Sequence, residues 1–326
     1  MRAIIASVLL GLLGEAAAMA QQPAPAANSP PVRALPASEP PLVEADVIGI
    51  GVDVPGRLTV PVMISTGRGT FGPYPFTVDT GAERTVISRE LATLLRLERG
   101  PNVRVLAITG PAGTGTAIIP SLQVSSVGGL AIEAPIFEGK DLGAPGLLGI
   151  DSLRSRAVSI NFDTQQMSVQ YRPRRRALDE AGPGEIIVRA KSLLGQLVVA
   201  DAFYHGQRVR VVLDTGTSVS IGNLAFQRLI SKKGHDTAPI SITSVSGATL
   251  MANFTQIGRF SIGGAIFSNL PVAFADAAPF KRLGLASKPA LLLGMDALRQ
   301  FRRVDIDFAN REVRLSLPAP AGPDSR

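Results

Sequence analysis

Short apolar runs rich in β-branched residues alternate along this chain with clusters of Gly, Pro and polar residues. The runs at 58–65 and 75–78 flank a Gly-rich loop, and those at 158–162 and 167–171 flank a polar turn. Such runs, bounded by turn residues, are typical of β-strands and hairpins. The pattern therefore predicts a mainly β fold.

Two of the predicted short helices have a clear N-cap residue. Ser88 is positioned to cap a helix over 89–97 that ends before Gly100, and Asn223 to cap a helix that continues to Ile230. Ser and Asn are favoured N-caps because their side chains accept hydrogen bonds from the first helical amides. We therefore expect only short helices beside the strands.

The same order of motifs occurs twice along the chain. An apolar run ends in Asp-Thr-Gly at Asp79 and again at Asp214, which is 135 residues later. A Leu-Leu-Gly segment ends at Gly149 and again at Gly294, which is 145 residues later. A nearly constant offset of this size indicates a duplicated domain rather than a solenoid repeat. We expect two tandem β-barrel lobes with short helices.

The two ends of the chain differ in composition from the repeated units. Arg2, an apolar run and the small residues Ala18-Met19-Ala20 have the pattern of a secretory signal peptide. We expect an exported protein, periplasmic or extracellular, without stable membrane insertion after cleavage; a retained anchor is the alternative. The predicted segments are a signal peptide (1–20), a Pro/Ala-rich disordered tether (21–45), a first lobe (46–172), a linker (173–184), a second lobe (185–318) and a tail (319–326).

Composition excludes several kinds of chemistry. The chain has no Cys, which excludes disulfides and thiolate catalysis, and its two histidines, His205 and His235, stand apart in predicted loops. We therefore expect no metal and no cofactor. The net charge of +7 comes from scattered Arg, and the one dense basic run, at 172–176, falls in the linker region. Trp is absent and aromatics are few, so a nucleic-acid partner is not expected.

The repeated Asp is the candidate catalytic residue. Asp is depleted in strands and costly to bury alone, yet both copies end an apolar run. Two carboxyls facing each other cannot both ionise, so such a pair shares a proton and can act as acid and base together. Asp151 and Asp296 also recur, but they precede short predicted helices, and we interpret them as helix caps.

With these motifs in both units, residues 47–317 resemble the retropepsin-like and pepsin-like aspartic proteases. Asp79-Thr80-Gly81-Ala82 is closer to a retropepsin, and Asp214-Thr215-Gly216-Thr217 is closer to a pepsin. The resemblance implies a pepsin-like bilobal arrangement, similar to exported bacterial single-chain forms. It also implies an aspartic endopeptidase that acts on protein or peptide substrates, in which Asp79 and Asp214 form the catalytic dyad.

The resemblance also implies supporting roles. Thr80 and Thr215 would bond to the opposite lobe, and Gly81 and Gly216 would donate N–H groups to the carboxylates. Ala82 and Thr217 complete the two active-site turns. Gly-bearing tips in each lobe would close over the substrate as flaps, with Thr109 and Gly110 in the first and Ser246 and Gly247 in the second.

The two halves are not equivalent. Thr217 can donate a hydroxyl hydrogen bond to Asp214 and Ala82 cannot do so for Asp79, so we expect Asp214 to be the more readily ionised member. We also expect a working pH less acidic than a pepsin's. No tyrosine lies in either predicted tip, which favours retropepsin-like flaps. Glu83 and Arg84 follow the first turn where Ser218 and Val219 follow the second, so asymmetric subsites are expected.

Two alternatives stay open. The chain could be a catalytically inactive protein that keeps the fold and binds extended peptides. The units could instead pair between two chains of a homodimer, although a monomer with an intramolecular dyad needs no partner.

Overall fold

The structure is a computed structural model of the 326-residue chain. It describes residues 4–6, 46–49, 51–53, 56–124, 127–153, 156–171, 180–199, 201–231 and 237–318. The predicted tail and tether, most of the predicted signal peptide and linker, and His235 lie outside these residues.

The described residues are mainly β-strands with a few short helices. The first half contains β1 (Ile4–Ala6), β2 (Asp46–Gly49), β3 (Gly51–Val52), β4 (Leu58–Thr66), β5 (Gly69–Val78), β6 (Val86–Ser88), α1 (Arg89–Leu94), β7 (Glu98–Ala107), β8 (Gly110–Val124), β9 (Val127–Phe137), α2 (Gly139–Leu142), β10 (Gly146–Leu148), a 3₁₀ turn (Ile150–Ser152), β11 (Arg156–Asn161) and β12 (Gln166–Tyr171).

The second half repeats this order with small differences. It contains β13 (Glu185–Leu193), β14 (Gln196–Val199), β15 (Ala202–Tyr204), β16 (Gln207–Arg208), β17 (Arg210–Leu213), β18 (Ser220–Gly222), α3 (Leu224–Ser231), β19 (Ala238–Ser244), β20 (Thr249–Ile257), β21 (Phe260–Ile262), β22 (Ala265–Phe267), β23 (Leu270–Phe274), α4 (Ala278–Arg282), β24 (Ala290–Leu293), α5 (Met295–Leu298), β25 (Arg303–Asp307) and β26 (Glu312–Ser316).

The first lobe is a closed barrel. Its sheet runs β4-β5-β10-β6-β9-β8, and pairing of β8 with β4 closes six strands into a ring. Leu58, Val60, Val62 and Ile64 alternate along β4 and are at most 1% exposed, because alternate side chains of a strand point to one face. This alternation fills the barrel and fixes the register of the strand that leads to Asp79.

The second lobe has the corresponding strands in a more open sheet. β14-β17-β24-β18-β23-β20-β19 form a continuous array, and β16-β15-β21-β22 form a separate small sheet. Phe226 of α3 contacts the rings of Tyr204, Phe260 and Phe274, with ring centroids 5.6–6.1 Å apart. This aromatic cluster attaches the helix and the small sheet to the main sheet of the lobe.

A shared sheet joins the lobes. The last hairpin of the first unit, β11–β12, pairs through β11 with β25 of the last hairpin of the second unit. Val158 faces Ile306 and Ile160 faces Val304 in this antiparallel pairing, and all four side chains are buried. Main-chain hydrogen bonds between β11 and β25 therefore join the two halves of the chain. The mainly β, two-lobed fold predicted from the sequence is confirmed.

Both predicted helix caps are present. Leu91 donates its backbone N–H to Ser88 Oγ at 3.1 Å, and Phe226 donates its own to Asn223 Oδ1 at 2.8 Å. The first helix ends at Leu94 rather than at residue 97, because Arg96 takes a left-handed conformation (φ 48°) that breaks the helix before β7. The prediction of its end was wrong by three residues.

Candidate active site

Each Asp-Thr-Gly turn follows a strand from the middle of its lobe. Asp79 follows β5 and Asp214 follows β17, and each strand has a Leu-Leu-Gly strand running parallel beside it, β10 and β24. The backbone N–H of Asp79 donates to the carbonyl of Leu148 at 3.0 Å, and that of Asp214 to the carbonyl of Leu293 at 3.0 Å. The repeated Leu-Leu-Gly segments thus hold both turns in the same way.

The two threonines lock the turns to each other. Thr80 Oγ1 donates to the carbonyl of Leu213 at 3.1 Å, and Thr215 Oγ1 donates to the carbonyl of Val78 at 2.7 Å. Each hydroxyl also accepts the backbone N–H of the other threonine, at 3.0 and 3.1 Å. Both side chains are buried, so these four bonds form a nearly symmetric clamp between the lobes.

Glycine is required in each turn by the opposite carboxyl. A Cβ built on Gly216 would lie 2.3 Å from Cγ of Asp79, and one built on Gly81 would lie 2.6 Å from Cγ of Asp214. Real Cβ atoms do not approach other atoms so closely, so any larger residue would push the carboxyl away. The turns therefore bring Asp79 and Asp214 together, and neither residue has any exposed surface.

The carboxyls accept different sets of hydrogen bonds. Asp79 Oδ1 accepts the backbone N–H groups of Gly81 at 2.9 Å and Ala82 at 3.0 Å. Among the described residues, the Asp214 carboxyl accepts one backbone N–H, from Gly216 at 3.0 Å. The Thr217 hydroxyl donates to the main-chain carbonyl of Asp214 at 3.3 Å and not to its carboxyl.

This arrangement reverses the expected order of ionisation. Burial raises the pKa of Asp79 to about 6, and the N–H groups of Gly81 and Ala82 oppose the rise. Burial, followed by the charge of Asp79, raises the pKa of Asp214 well above its ordinary value. Because the Asp79 carboxyl accepts two backbone N–H groups and the Asp214 carboxyl accepts one, Asp79 is the member that the site favours in ionised form. The prediction that Thr217 favours ionisation of Asp214 was wrong, because that hydroxyl has a main-chain partner.

A buried cation also acts on the pair. Arg57 is 0% exposed; its Nε donates to Asp53 Oδ2 at 2.8 Å, and its Nη2 donates to the carbonyl of Leu142 at 2.6 Å. Its charge lowers the pKa of both Asp79 and Asp214, against the larger effect of burial. The sequence interpretation missed Arg57. The available signal was a charged residue directly before the apolar run of β4.

The hairpin tips of the two lobes are placed reciprocally. Ile108, in the turn between β7 and β8, is fully buried in an apolar cluster of the second lobe that includes Phe280. Val245, in the turn between β19 and β20, is fully buried in a cluster of the first lobe that includes Leu142. Each tip therefore packs against the opposite lobe.

The residues predicted for the flaps lie at or beside these turns. Thr109 is in the first turn, and Gly110 begins β8, so the Gly-rich stretch after it belongs to a strand rather than to the tip. Ser246 is in the second turn, and Gly247 follows with a positive φ of 78°, against Asp141 of α2. Their part in substrate binding stays a prediction.

The recurring Asp151 and Asp296 do not cap helices. Asp151 accepts the backbone N–H of Thr85 at 2.9 Å and its hydroxyl at 2.7 Å, and Asp296 accepts the same two groups of Ser220 at 3.1 and 2.8 Å. Both helices that follow the Gly residues lack a side-chain cap bond. These carboxyls instead tie the strand after each Asp-Thr-Gly turn to the Leu-Leu-Gly segment.

A second cross-lobe contact lies beside the first turn. Glu83 pairs with Arg282 of α4, with Nε–Oε1 and Nη2–Oε2 distances of 3.3 and 3.4 Å, and both side chains are largely buried. The sequence marked Glu83 as a point of asymmetry but gave no signal for its partner, 199 residues away.

Within the described part of the chain, no group of three or more His, Asp or Glu residues could hold a metal ion. The same residues contain no helix of the length and apolar character that crossing a bilayer requires.

Comparison with known proteins agrees with the duplication. The family described as gag-polyprotein aspartyl protease matches residues 69–155, and the family described as aspartyl protease matches residues 200–297. One match falls in each lobe, and each includes an Asp-Thr-Gly turn and the Leu-Leu-Gly segment of the same lobe. A search of curated proteins finds no match to the chain.

Proposed function

Because the chain is a two-lobe, retropepsin-like member of the aspartic protease family, we propose that it is an endopeptidase that hydrolyses peptide bonds in extended polypeptide segments. The observation that carries this proposal is the meeting of Asp79 and Asp214 at the centre of the two-lobe interface. Both carboxyls are fully buried, and the threonine clamp holds them together. The substrate is a protein or peptide, and the dyad forms within one chain.

The chemistry follows from the unequal carboxyls. Asp79, as the ionised member, takes a proton from a water molecule while the water oxygen attacks the scissile carbonyl carbon. Asp214 gives its proton to the carbonyl oxygen, so a neutral tetrahedral diol forms. The C–N bond then breaks as the proton on Asp79 passes to the leaving nitrogen and a diol hydroxyl returns its proton to Asp214. No covalent intermediate is needed.

Access to the dyad requires movement of the hairpins. Ile108 and Val245 are buried in opposite lobes, and the carboxyls between the lobes have no exposed surface. A polypeptide can therefore reach the dyad only when at least one tip withdraws. Hairpins that open and close in this way would pair with the main chain of an extended peptide as added strands.

The site of action is proposed from the N-terminal sequence. Its signal-peptide pattern supports export to the periplasm or the extracellular space. Fractionation of cells that express the chain with a C-terminal tag, followed by N-terminal sequencing of the processed form, tests this part of the proposal.

Cleavage of fluorescently labelled casein between pH 3 and pH 8 tests the activity. Asp79→Asn and Asp214→Asn should each lower the rate at least 100-fold, because each removes one partner of the acid–base pair. Asp163→Asn, in the exposed turn between β11 and β12, is the matched control and should retain full activity. Binding of casein without cleavage at any pH would favour the inactive peptide-binding alternative.

A further inference from the structure

Gln196 lies beside the dyad and reaches it from the second lobe. It begins β14, directly after the two-residue turn Leu194-Gly195, and it is 0% exposed. Its Nε2 donates to the carbonyl of Gly81 at 2.5 Å, across 115 positions in sequence. Gly81 donates its N–H to Asp79, and a Cβ built on it would lie 2.6 Å from Cγ of Asp214, so the amide of Gln196 bonds to a residue that lies against both carboxyls.

The sheet registers identify the counterpart of Gln196 in the first lobe. Thr59 of β4 faces Thr77, two residues before Asp79, and Val198 of β14 faces Val212, two residues before Asp214. Arg57 lies two residues before Thr59 in the first lobe, and Gln196 lies two residues before Val198 in the second. The two buried polar side chains are therefore equivalent under the duplication.

In the part of the chain that the structure describes, the Gln196 side chain leaves one buried polar atom without a partner, whereas the guanidinium of Arg57 has an anionic partner. The Arg57 guanidinium bonds to the Asp53 carboxylate and to the carbonyl of Leu142. Gln196 has its donor on Gly81, but its Oε1 is buried and has no hydrogen-bond partner among the described residues. A buried acceptor without a partner lowers the stability of the fold by roughly 1–3 kcal/mol, and a bound ligand with an N–H group would remove this cost.

We propose that Gln196 is a substrate-binding residue, whose Oε1 accepts a main-chain N–H of the bound peptide next to the scissile bond while its Nε2 holds Gly81. This inference rests on the proposed endopeptidase function. The amide oxygen and nitrogen of one side chain are bonded to the same carbon, so Oε1 lies close to the Gly81 carbonyl and thus to the dyad.

The chemistry of the Gln196 amide oxygen determines which hydrogen-bond donor it can accept. An amide oxygen accepts hydrogen bonds and carries no charge, so it suits a neutral N–H rather than an anion or a carbonyl. An extended peptide presents such N–H groups at every second residue on each side. The first lobe offers a cation at the equivalent position, so only the second-lobe half of the substrate would gain this contact.

The test pairs a protein variant with altered substrates. A casein peptide that the unaltered protein cleaves is resynthesised with single ester bonds, each of which replaces one main-chain N–H by oxygen near the scissile bond. For the unaltered protein, one ester should lower kcat/KM about fivefold, the effect of one neutral hydrogen bond. Gln196→Met should lower kcat/KM for the all-amide peptide by a similar factor. In this variant, the same ester should lower kcat/KM no further.

Controls separate this role from a structural one. Leu194→Asn alters the same turn at a half-exposed residue with φ 53°, a conformation that Asn accepts, and should leave every ester effect unchanged. If Gln196→Met does not fold, as judged by circular dichroism, Gln196→Leu removes the same amide. Ester effects that are identical in the unaltered protein and the variant at all positions would overturn the inference. Failure of the unaltered protein to cleave any peptide would instead overturn the proposed function on which the inference rests.

Discussion

The carbonyl oxygen of Ile108 accepts a hydrogen bond from the backbone N–H of Ala278 at 2.9 Å, which attaches the turn of the first hairpin to the second lobe. The side chain of Ile108 is buried there, and Val245 makes the reciprocal insertion into the first lobe. Under the proposed function, these two intramolecular contacts would compete with the entry of substrate. The closed state is stabilised by apolar burial, so opening has a free-energy cost that can be measured.

Ile108→Ala should loosen the first hairpin. Truncating a fully buried Ile costs about 2 kcal/mol or more, and here the loss falls on the contact that keeps the tip closed. Hydrogen exchange measured by mass spectrometry should become at least tenfold faster for the amides of β7 and β8 near the turn. Ile266→Ala, at a side chain that is 62% exposed, is the control. Equal exchange in the two variants would show that Ile108 does not hold the tip.

Activity should rise with pH through the range around 6. Burial raises the pKa of Asp79 to about 6 and also raises that of Asp214, and facing carboxyls lose their two protons in separate steps, so the form with one proton on the pair appears as the pH increases past the first step. A profile of kcat/KM from pH 3 to pH 8 measures this, and an optimum below pH 4 would contradict it. Thr217→Ala should not move the profile, because the Thr217 hydroxyl bonds to a main-chain carbonyl.

The free energy of unfolding should fall as the pH rises, whereas the activity should increase. The folded-state pKa of Asp79 is about 6 against an ordinary value of 3.8, so between these values the folded protein keeps a proton that the unfolded chain releases. Stability therefore falls as the pH rises through this window. Asp79→Asn removes the penalty and should raise the free energy of unfolding by about 3 kcal/mol at pH 7 and little at pH 3.5. Urea titrations at both pH values check this, and an equal effect at both would refute it.

The Glu83–Arg282 pair should couple the lobes measurably. Arg282→Glu places two carboxylates together at side chains that are 15% and 18% exposed, and should cost about 2 kcal/mol of stability. The double variant Glu83→Arg with Arg282→Glu should recover at least half of the loss, because it restores opposite charges. Reversing the exposed pair Asp276–Lys281 in the same way should have little effect in the same urea titration. No recovery in the double variant would show that the charges are not coupled.

The sequence was informative where a pattern is local and repeated. The caps at Ser88 and Asn223 are present as predicted, and each Asp-Thr-Gly turn directly follows an apolar strand that pairs with the Leu-Leu-Gly strand of the same lobe. Such features depend on backbone conformation and on neighbours a few residues away, which a single sequence displays directly.

Contacts across the lobes could not be predicted in this way. Arg57 and Gln196 reach their positions because strand registers place them there, and a register is fixed only when the barrel packs. The Thr217 hydroxyl had several acceptors within reach, and the sequence could not tell the carboxyl of Asp214 from its main-chain carbonyl. Of the two residues predicted for the first tip, Thr109 lies in the turn and Gly110 begins β8, because Gly110 pairs with Ala107 across the hairpin.

The pairing of β11 with β25 gives the protein a property that two-chain dyads lack. In a homodimer, dilution separates the halves and destroys the site, whereas here five residue pairs of one covalent chain join them. Specific activity should therefore be the same at nanomolar and micromolar protein. If export is confirmed, the active site would stay intact even at the high dilution that follows release from the cell.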